Sequence, residues 1–446
     1  MENITLNVKK QYECDVLVVG GGVSGFASAV SAARNGARVI LIESGGFLGG
    51  TATKGLVGPF MTCYDSKGRN KIIKGLFSEL VDRLYQDGGA ILPENCYGGD
   101  SYSGYRVSGH IGVTPFDYEV LKRTLENMCL EVGVKLLYHT TLIACERQDN
   151  RITKVYATDS NDILSISAKT FIDTTGSATL AYKAGAKTVR DEEFRQTASL
   201  FFVISGVDKK ALDKYMEKAT DLRERFFMDV IEKGQENGAF PCGTKKLRIF
   251  ENSSGDWVVN MAQYDDLLEE LDGEAITNAE IEQRWQIEKI FKFLKENIVG
   301  LQNIRLESTA SDIGIRESRR LVGKTVLTKE DIQKSTKFDD CICVCANSID
   351  IHQKIGNTYL AHSGENYYIP LSCLISNDIE NLLTAGKSLS ADKYAFSAVR
   401  VMPPCIAMGQ AVGITAALSV KNGVNVGDVP YQAVQEILLK EGAYLG

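Results

Sequence analysis

The sequence has few prolines, few histidines and no long basic or apolar run. It holds 8 prolines and 4 histidines in 446 residues, with a formal net charge of −7. Because no lysine or arginine cluster resembles a phosphate-binding stripe, we expect no nucleic-acid partner. The apolar run that comes nearest to the roughly 18–20 residues of a membrane span, residues 398–420, is interrupted by Arg400, Pro403 and Pro404. We therefore expect a soluble protein without a membrane segment.

The cysteines show no metal-binding or disulfide pattern. The eleven cysteines are irregularly spaced, and a chain of this length buries a core that needs no disulfides. Without a secretory leader, we expect reduced thiols and a cytoplasmic protein. Cys341, Cys343 and Cys345 alternate as on one strand face and lack a C-x-x-C pair, which favours sheet packing over a metal site. We expect no metal.

Glycine, in contrast, is abundant, with 41 residues, and its first cluster follows a predicted buried strand. Residues 15–19 (DVLVV) are a continuous apolar run typical of a parallel strand. Small and apolar residues then repeat at helical spacing over 23–35 and stop at Gly36. A second buried strand, 38–42, ends at Glu43. This strand–helix–strand unit predicts an α/β domain with a parallel sheet.

The turn between the first strand and the helix carries a phosphate-binding pattern. Gly20, Gly22 and Gly25 form G-x-G-x-x-G, in which the glycines allow a tight turn, a close pyrophosphate and close helix–strand packing. The helix N-terminus offers N–H groups and a positive dipole end to phosphates. Glu43, 18 residues beyond Gly25, suits the adenosine ribose. We predict a dinucleotide site; the alternative is a glycine-rich turn in an unliganded α/β protein.

The sequence downstream of Glu43 indicates which dinucleotide is bound. Gly49, Gly50, Thr51 and Thr53 follow Glu43 closely, and these glycines and threonines suit a ligand that extends past the pyrophosphate toward a second ring system. Two further predicted strands end at glycines, Gly176 and Gly386, where the backbone could approach the rest of such a ligand. No second G-x-G-x-x-G follows a strand, so a separate NAD(P)H domain is not expected. We predict one FAD, bound non-covalently, with attachment through Cys63 or Cys405 as the alternative.

The middle of the chain differs in composition. Charged helices dominate from about residue 209 to 300, and strand-like segments 199–204 and 257–261 flank them. Thr277, followed three residues later by Glu280, predicts a capping box at the start of a helix. This region looks like a second, α+β domain.

Five segments spread over most of the chain resemble a known family. They are similar to FAD-dependent oxidoreductases whose flavin domain is shared with the fumarate reductase and succinate dehydrogenase flavoproteins, in a branch with many uncharacterised bacterial enzymes. The segments are DVLVVGGGVSG, ESGGFLGGTATKGLV, FIDTTGSATLAYKAGA, GIRESRRLVGKTVLTKEDI and ENLLTAGKSLSADKYAFSAVRVMPPCIAMGQAVGITAAL.

The resemblance implies a fold and a domain order. We expect a discontinuous Rossmann-type FAD-binding domain, with a parallel sheet plus a small antiparallel sheet, made of residues 1–189 and 339–446. A substrate or cap domain, 190–338, is inserted between these parts. The last helix would point its N-terminus, near Met402 to Cys405, at the pyrimidine edge of the flavin, where its dipole and free N–H groups would stabilise negative charge.

Two positions depart from the family pattern. Lys387 and Ser372 stand where the family has arginine. Because lysine cannot reproduce the bidentate fork of a guanidinium, the substrate class stays open.

The predicted cofactor-binding residues are Gly20, Gly22, Val23, Ser24, Gly25, Glu43, Ser44, Gly49, Gly50, Thr51, Thr53, Leu142, Thr175, Gly176, Gly386, Lys387, Met402 and Cys405.

Four residues are candidates for catalysis. Arg316, in GIRESRRLVG, and Arg400, just before the last long helix, would contact substrate or flavin; the alternative for each is a structural ion pair. If the segment GIRESRRLVG is helical, Arg316 and Arg320 lie on the same face of that helix. His352 and His362 are candidate proton carriers, with structural histidines as the alternative.

These residues together predict an enzyme. We expect hydride transfer between a small organic substrate and flavin N5 at the domain junction, with an external electron donor or acceptor that the sequence does not identify. Two alternatives are an electron-transfer subunit of a redox complex and an RNA-modifying flavoprotein. The absence of an iron–sulfur cluster motif favours the free-standing enzyme over the first. Homo-oligomerisation is left open.

Overall fold

The structure is a computed structural model that describes residues 7–96, 112–193, 195–353, 356–360 and 365–446. Its strands are β1 (Val8–Glu13), β2 (Val16–Val19), β3 (Val39–Ile42), β4 (Lys135–Leu137), β5 (Thr141–Gln148), β6 (Arg151–Thr158), β7 (Ile163–Ser167), β8 (Thr170–Asp173), β9 (Thr188–Val189), β10 (Phe202–Ser205), β11 (Ile249–Glu251), β12 (Trp257–Val259), β13 (Arg305–Thr309), β14 (Arg320–Leu321), β15 (Cys341–Cys345), β16 (Ile349–Gln353), β17 (Gly356–Leu360), β18 (Tyr367–Pro370) and β19 (Leu382–Thr384). Its α-helices are α1 (Val23–Arg34), α2 (Leu76–Gln86), α3 (Tyr118–Glu131), α4 (Thr179–Lys183), α5 (Lys209–Lys218), α6 (Leu222–Arg225), α7 (Met228–Glu236), α8 (Gly273–Asn297), α9 (Lys329–Lys334), α10 (Lys393–Val399), α11 (Met402–Asn422) and α12 (Tyr431–Lys440).

A five-stranded parallel sheet of order β19–β8–β2–β3–β4 forms the centre of the fold. In β2, Val16 and Val18 pack on one face with the helices, whereas Leu17 and Val19 pack on the other. Both faces of β2 are thus buried, as its continuous apolar run predicts.

A second sheet covers the other face of the parallel sheet. Its order is β1–β7–β6–β5, with β5, β6 and β7 antiparallel and β1 added parallel to β7. The predicted α/β class, a parallel sheet plus a small antiparallel sheet, is therefore confirmed. Strand β4, which directly precedes β5 in the chain, belongs to the parallel sheet and pairs with β3.

Helices α1 and α11 pack against each other with backbone contact. A Cβ on Gly409 would lie 2.4 Å from the Ser24 carbonyl oxygen, and one on Gly413 would lie 2.4 Å from that of Ser28. Helix α11 is long and apolar enough to cross a membrane, but 83% of its most apolar window is buried inside the protein. Its composition is that of a core helix.

A second hydrophobic core lies within residues 198–313. The antiparallel sheet β11–β12–β10–β13 packs there against α8, with Trp257 of β12 fully buried. The boundaries 190–338 of the inserted domain remain a prediction. The predicted start of α8 is wrong: the helix begins at Gly273, and Asp272 caps it by accepting hydrogen bonds from the amides of Glu274 and Ala275.

No disulfide joins cysteines in the part of the chain that the structure describes. All eleven lie in the described part of the chain, and ten of them are buried. Burial raises the pKa of Cys63 to about 12 and that of Cys405 to about 12. Both thiols are therefore protonated at neutral pH.

Candidate active site

A cavity of about 640 Å³ runs from the carboxyl ends of the parallel strands to the second core. Val19 of β2 and Ile42 of β3 line one part, and Leu247 and Ile313 of the second core line another. Ligands of open α/β sheets bind outside the carboxyl ends of the strands. The cavity is therefore the candidate active site.

Most of the residues predicted from the sequence line this cavity. They come from eight separate segments between residues 20 and 405. The lining members are Gly20, Gly22, Val23, Ser24, Glu43, Ser44, Gly49, Gly50, Thr51, Leu142, Thr175, Gly176, Arg316, His352, Gly386, Lys387, Arg400, Met402 and Cys405. His362 lies outside the described residues.

The glycine-rich turn forms a backbone cradle at one end of the cavity. Gly20 has φ +103°, and a Cβ there would lie 2.6 Å from the Thr174 carbonyl oxygen. Gly22 is the N-cap of α1, and a Cβ on it would meet nothing within 4 Å. No side chain caps α1 among the described residues, so its first-turn amides have no side-chain acceptor, as an anion site at a helix N-terminus requires. We call this part of the cavity the dinucleotide end.

Two predicted residues support the turn from behind and do not line the cavity. A Cβ on Gly25 would lie 1.9 Å from the Gly20 carbonyl oxygen. Only a residue without a side chain therefore lets α1 pack this closely against the end of β2. The Thr53 hydroxyl donates a hydrogen bond of 2.7 Å to the Leu48 carbonyl oxygen and packs beneath Gly49, which has φ +107°. Both residues shape the backbone that faces the cavity.

Glu43 has close partners in the structure. Its Oε2 accepts a hydrogen bond of 2.7 Å from the Gly21 amide, and its Oε1 accepts from the Gly45 amide at 2.7 Å and from Lys54 Nζ at 2.6 Å. Burial raises the pKa of Glu43, but Lys54 and the two amides outweigh burial, so the pKa lies below its ordinary value. The carboxylate is therefore charged, and Oε2 keeps capacity to accept from a ribose hydroxyl.

The N-terminus of α11 reaches the cavity at Met402 and Cys405. Its dipole end faces the site as predicted, but the expected set of free N–H groups is wrong. Pro403 and Pro404 have no N–H, and the Cys405 amide bonds to the Val401 carbonyl oxygen. The helix therefore offers the Met402 amide and its dipole, not a row of donors.

Arg316 and Arg400 both face the cavity, but the segment that contains Arg316 is not the helix considered from the sequence. Residues 312–319 form no helix, and the segment continues into β14. Arg316 Nη1 donates to the Thr197 carbonyl oxygen and, at 3.0 Å, to Ser199 Oγ. Its neighbour Arg320 takes the structural role, because its guanidinium pairs with Glu317 at 2.8 Å. Arg316 has no ion pair with a carboxylate in the described ranges.

Asp350 joins His352 and Arg400 in one polar network. Asp350 Oδ2 lies 3.0 Å from His352 Nε2 and 3.7 Å from Arg400 Nη2. Arg400 also donates to Gln196 Oε1 at 3.2 Å. Burial and the charge of Arg316 lower the pKa of His352 to about 3 against the opposing effect of Asp350. His352 is therefore neutral at neutral pH, and its ring N–H can donate to Asp350.

Lys387 is a buried cation next to this network. Its Nζ donates to the Ile315 carbonyl oxygen at 2.6 Å. Burial, followed by the charge of Arg400, lowers the pKa of Lys387 to about 8. The free energy of its charged form is therefore sensitive to any anion placed nearby.

The sequence reasoning missed five charged residues that line the cavity: Lys54, Lys246, Arg248, Asp312 and Asp350. For Lys246 and Arg248 a signal was present, because they alternate in KKLRIF with the apolar residues Leu247 and Ile249, both of which are buried. We call the part of the cavity lined by Lys246, Arg248, Arg316, Asp350, His352 and Arg400 the basic chamber.

The cavity fits a dinucleotide that carries two ring systems. The open space in front of Gly22 is the room that a Cβ would fill, and a pyrophosphate needs it beside the α1 amides. Glu43 lies at the ribose position, and the cavity continues past Gly176 and Gly386 to Met402. The fold and the site together define a dinucleotide-binding α/β protein.

Comparison with known proteins gives the family. Residues 15–438 match the family described as FAD dependent oxidoreductase, so the chain belongs to it and is an FAD-dependent oxidoreductase. The predicted cofactor FAD and the predicted enzyme class are thus confirmed. The narrower likeness to fumarate reductase stays a prediction.

One curated relative and several solved structures are similar to the chain. Vinyl phenol reductase of Lactiplantibacillus plantarum is 28% identical over 187 residues, which span 36% of this chain and 38% of that protein. A geranylgeranyl bacteriochlorophyll reductase-like protein of Thermoplasma acidophilum has a TM-score of 0.49 and 14% identity, covering 97% of this chain and 84% of that one. The p-nitrophenol 4-monooxygenase of Pseudomonas putida has a TM-score of 0.49 and 12% identity, covering 97% and 85%. None of these similarities identifies a substrate.

Proposed function

We propose that the enzyme transfers a hydride between a small organic substrate and the flavin, with the substrate in the basic chamber. The observation that carries the proposal is the continuity of one cavity, which is lined by Gly22 and Glu43 at the dinucleotide end and by Arg316 and Arg400 in the basic chamber. When bound, FAD supplies the two-electron redox chemistry.

The protein would hold the cofactor mainly through backbone. The amides of Val23 and Ser24 bind the pyrophosphate at the start of α1, and Glu43 accepts from the ribose. The N-terminal dipole of α11, beginning at Met402, stabilises negative charge at the polar edge of the flavin. Non-covalent binding agrees with the protonated state of the Cys405 thiol, because the thiolate is the nucleophile of cysteine.

The second core would enclose the substrate. Leu247 and Ile313 line the cavity with the aromatic rings of Phe226 and Phe250, which exclude water from the reacting atoms. Arg316 orients the substrate, since its guanidinium faces the cavity and is held from behind by Ser199.

His352 is better suited to a positioning role than to proton donation. Its pKa of about 3 keeps the proton count of the ring constant near neutral pH. Through Asp350 it fixes the orientation of the carboxylate that also faces Arg400. His362 stays a candidate proton carrier.

Several further expectations belong to the same proposal. We propose a bacterial cytoplasmic enzyme that acts on a small molecule, exchanges electrons with an external partner, and binds neither nucleic acid nor membrane. The net charge of −7 supports the absence of nucleic-acid binding.

Anaerobic reduction of the bound flavin tests the proposal. The FAD-loaded protein is mixed with a panel of hydroxy acids, amines, enoates, phenols, sugars and NAD(P)H, and loss of the flavin absorbance band is followed. We expect at least one organic member to reduce the flavin, or to reoxidise flavin that has been reduced chemically. A protein inert to the whole panel in both directions, but reduced by an iron–sulfur partner, would instead be an electron-transfer subunit.

A further inference from the structure

Lys246 carries a primary amine into the basic chamber. It precedes β11 and lines the cavity together with the aromatic rings of Phe226 and Phe250. The adjacent Lys245 is exposed and is not among the lining residues. Two neighbouring lysines therefore lie in contrasting environments, and one of them faces the enclosed space in which the substrate is proposed to bind.

In the described part of the chain, Lys246 has no partner that would hold its charge. Its Nζ lies 4.9 Å from the centroid of the Phe226 ring. Across the described ranges this nitrogen forms no ion pair and donates no hydrogen bond. Lys54 and Lys387 also line the cavity, but Lys54 pairs with Glu43 at 2.6 Å and Lys387 donates to a carbonyl oxygen at 2.6 Å. The Lys246 amine is thus available to a ligand.

The surroundings favour the neutral form of this amine. Burial, followed by the charge of Arg248, lowers the pKa of Lys246, and the carboxylate of Asp350 opposes this shift. The fraction of neutral amine at neutral pH is therefore larger than for an exposed lysine. Only the neutral amine has an electron pair that can attack a carbon atom, and desolvation beside another cation activates lysine for this reaction.

The walls of the cavity suit an apolar carbonyl compound. Phe201, Phe226 and Phe250 line it, and aromatic walls that exclude water favour an imine over its hydrolysis. Asp350 lines the same space and supplies a carboxylate for the proton transfers that imine formation needs.

We infer that the substrate is an aldehyde or ketone with an apolar body and that Lys246 binds it covalently as an imine. The Lys246 Nζ attacks the carbonyl carbon, a carbon–nitrogen double bond forms, and the carbonyl oxygen leaves as water with the two hydrogens of the neutral amine. No electrons are exchanged in this step, and hydrolysis of the imine restores the amine. The inference rests on the proposed function, since it concerns the substrate that exchanges a hydride with the flavin.

The imine restricts where the hydride can go. A hydride added to the imine carbon would leave the Lys246 nitrogen permanently alkylated, so the redox change takes place at the α- and β-carbons of the substrate. In the reducing direction, a hydride from reduced flavin adds at the β-carbon, a proton adds at the α-carbon, and hydrolysis releases the saturated carbonyl compound. The protonated imine withdraws electrons more strongly than a neutral carbonyl group and so promotes this addition. The substrate is therefore an α,β-unsaturated aldehyde or ketone, or its saturated counterpart in the oxidising direction.

Reductive trapping tests for the imine. The oxidised, FAD-loaded enzyme is incubated with hydrocinnamaldehyde and sodium cyanoborohydride, and peptide mass spectrometry locates the alkylated lysines. We expect Lys246 to be alkylated about tenfold or more faster than the exposed Lys245. Hydrocinnamyl alcohol, which has the same body without a carbonyl group, is the matched control and should label neither residue.

Three substitutions separate the amine from its positive charge. Anaerobic reoxidation of chemically reduced flavin by cinnamaldehyde should slow about 100-fold or more in both Lys246→Met and Lys246→Arg, because neither side chain can form an imine. A residue that served only as a cation would be replaced by arginine with little loss. Lys245→Met is the control and should keep the wild-type rate. FAD content and Tm confirm that each variant is folded and loaded.

The outcomes separate this inference from the proposed function. Equal alkylation of Lys245 and Lys246, or a Lys246→Arg variant as active as wild type with cinnamaldehyde, would overturn the inference. If a compound without a carbonyl group reduces the flavin while Lys246 is not alkylated selectively, the proposed function stands and the inference falls. If Lys246 is alkylated selectively but no organic compound exchanges electrons with the flavin, the proposed function falls and the imine site remains.

Discussion

The two ends of the cavity are built from different materials. At the dinucleotide end, Gly20 and Gly22 present backbone at the start of α1. In the basic chamber, charged side chains such as Arg248, Arg316 and Asp350 come from distant parts of the chain. Backbone recognises what every dinucleotide shares, whereas side chains can change one at a time and adapt the chamber to a particular substrate.

The sharpest way to break the dinucleotide end alone is to fill its open space. Gly22→Val would place a side chain where a Cβ meets no atom within 4 Å, so the fold tolerates it. The same side chain would occupy the place of the pyrophosphate, and we expect FAD affinity to fall at least about 100-fold. Flavin absorbance after purification and the Tm of the apoprotein measure the two effects. Loss of the fold instead of FAD would contradict the open cradle.

Substitution of a neighbouring glycine should instead destabilise the fold. Gly25→Ala puts a methyl group 1.9 Å from the Gly20 carbonyl oxygen, so we expect a loss of about 3 kcal/mol in the free energy of unfolding. Gly273→Ala, at a helix start with nothing within 4 Å, is the control and should cost nothing. Urea unfolding of the apoproteins compares them. Equal stability of the two variants would show that α1 can move away from the strand end.

Glu43 is the charged side chain at the dinucleotide end, and its removal should have a smaller effect. Glu43→Gln loses the ion pair with Lys54 and weakens the ribose contact, so we expect FAD to bind about tenfold less tightly. Fluorescence titration of the apoprotein with FAD measures the change. Glu79→Gln, which breaks a pair with Arg34 on the surface, should leave the affinity unchanged. An unaltered affinity in Glu43→Gln would assign recognition to backbone alone.

The smallest expected effect concerns acid stability and the basic chamber. The pKa of His352 is about 3 in the folded protein and about 6.5 when unfolded. The unfolded chain therefore binds more protons below pH 6.5, and the stability that neutral His352 provides is present above pH 6.5 and lost as the pH falls toward 3. The stability advantage of wild type over His352→Gln should shrink by about 1 kcal/mol between pH 7 and pH 5.5. An advantage that does not change with pH would mean that the ring titrates normally.

The difference between the two ends also explains what the sequence could predict. The residues of the dinucleotide end lie close together in the chain, so Gly20, Gly22 and Glu43 are recognisable by spacing alone. Arg316 and Arg400 were recognised through family-like segments. Asp350 was missed because a single charged residue in a strand-like segment carries no sign of which distant segment it will face. The alternation of Lys246 and Arg248 with apolar residues indicates a strand face, but it does not show that this face meets the cavity. The capped start of α8 at Asp272 was missed because Thr277 offered a competing local pattern.

The contact between α1 and α11 fixes a length inside the molecule. Their closest backbone approaches, at Gly409 and Gly413, leave no room for the helices to slide. The N-termini of both helices line the cavity, α1 at Val23 and Ser24 and α11 at Met402, so this contact sets the distance between the two helix ends. Residues 198–313, which hold the second core, include neither of these two helices. Substitutions in the second core can therefore change its part of the cavity without changing the distance between the N-termini of α1 and α11.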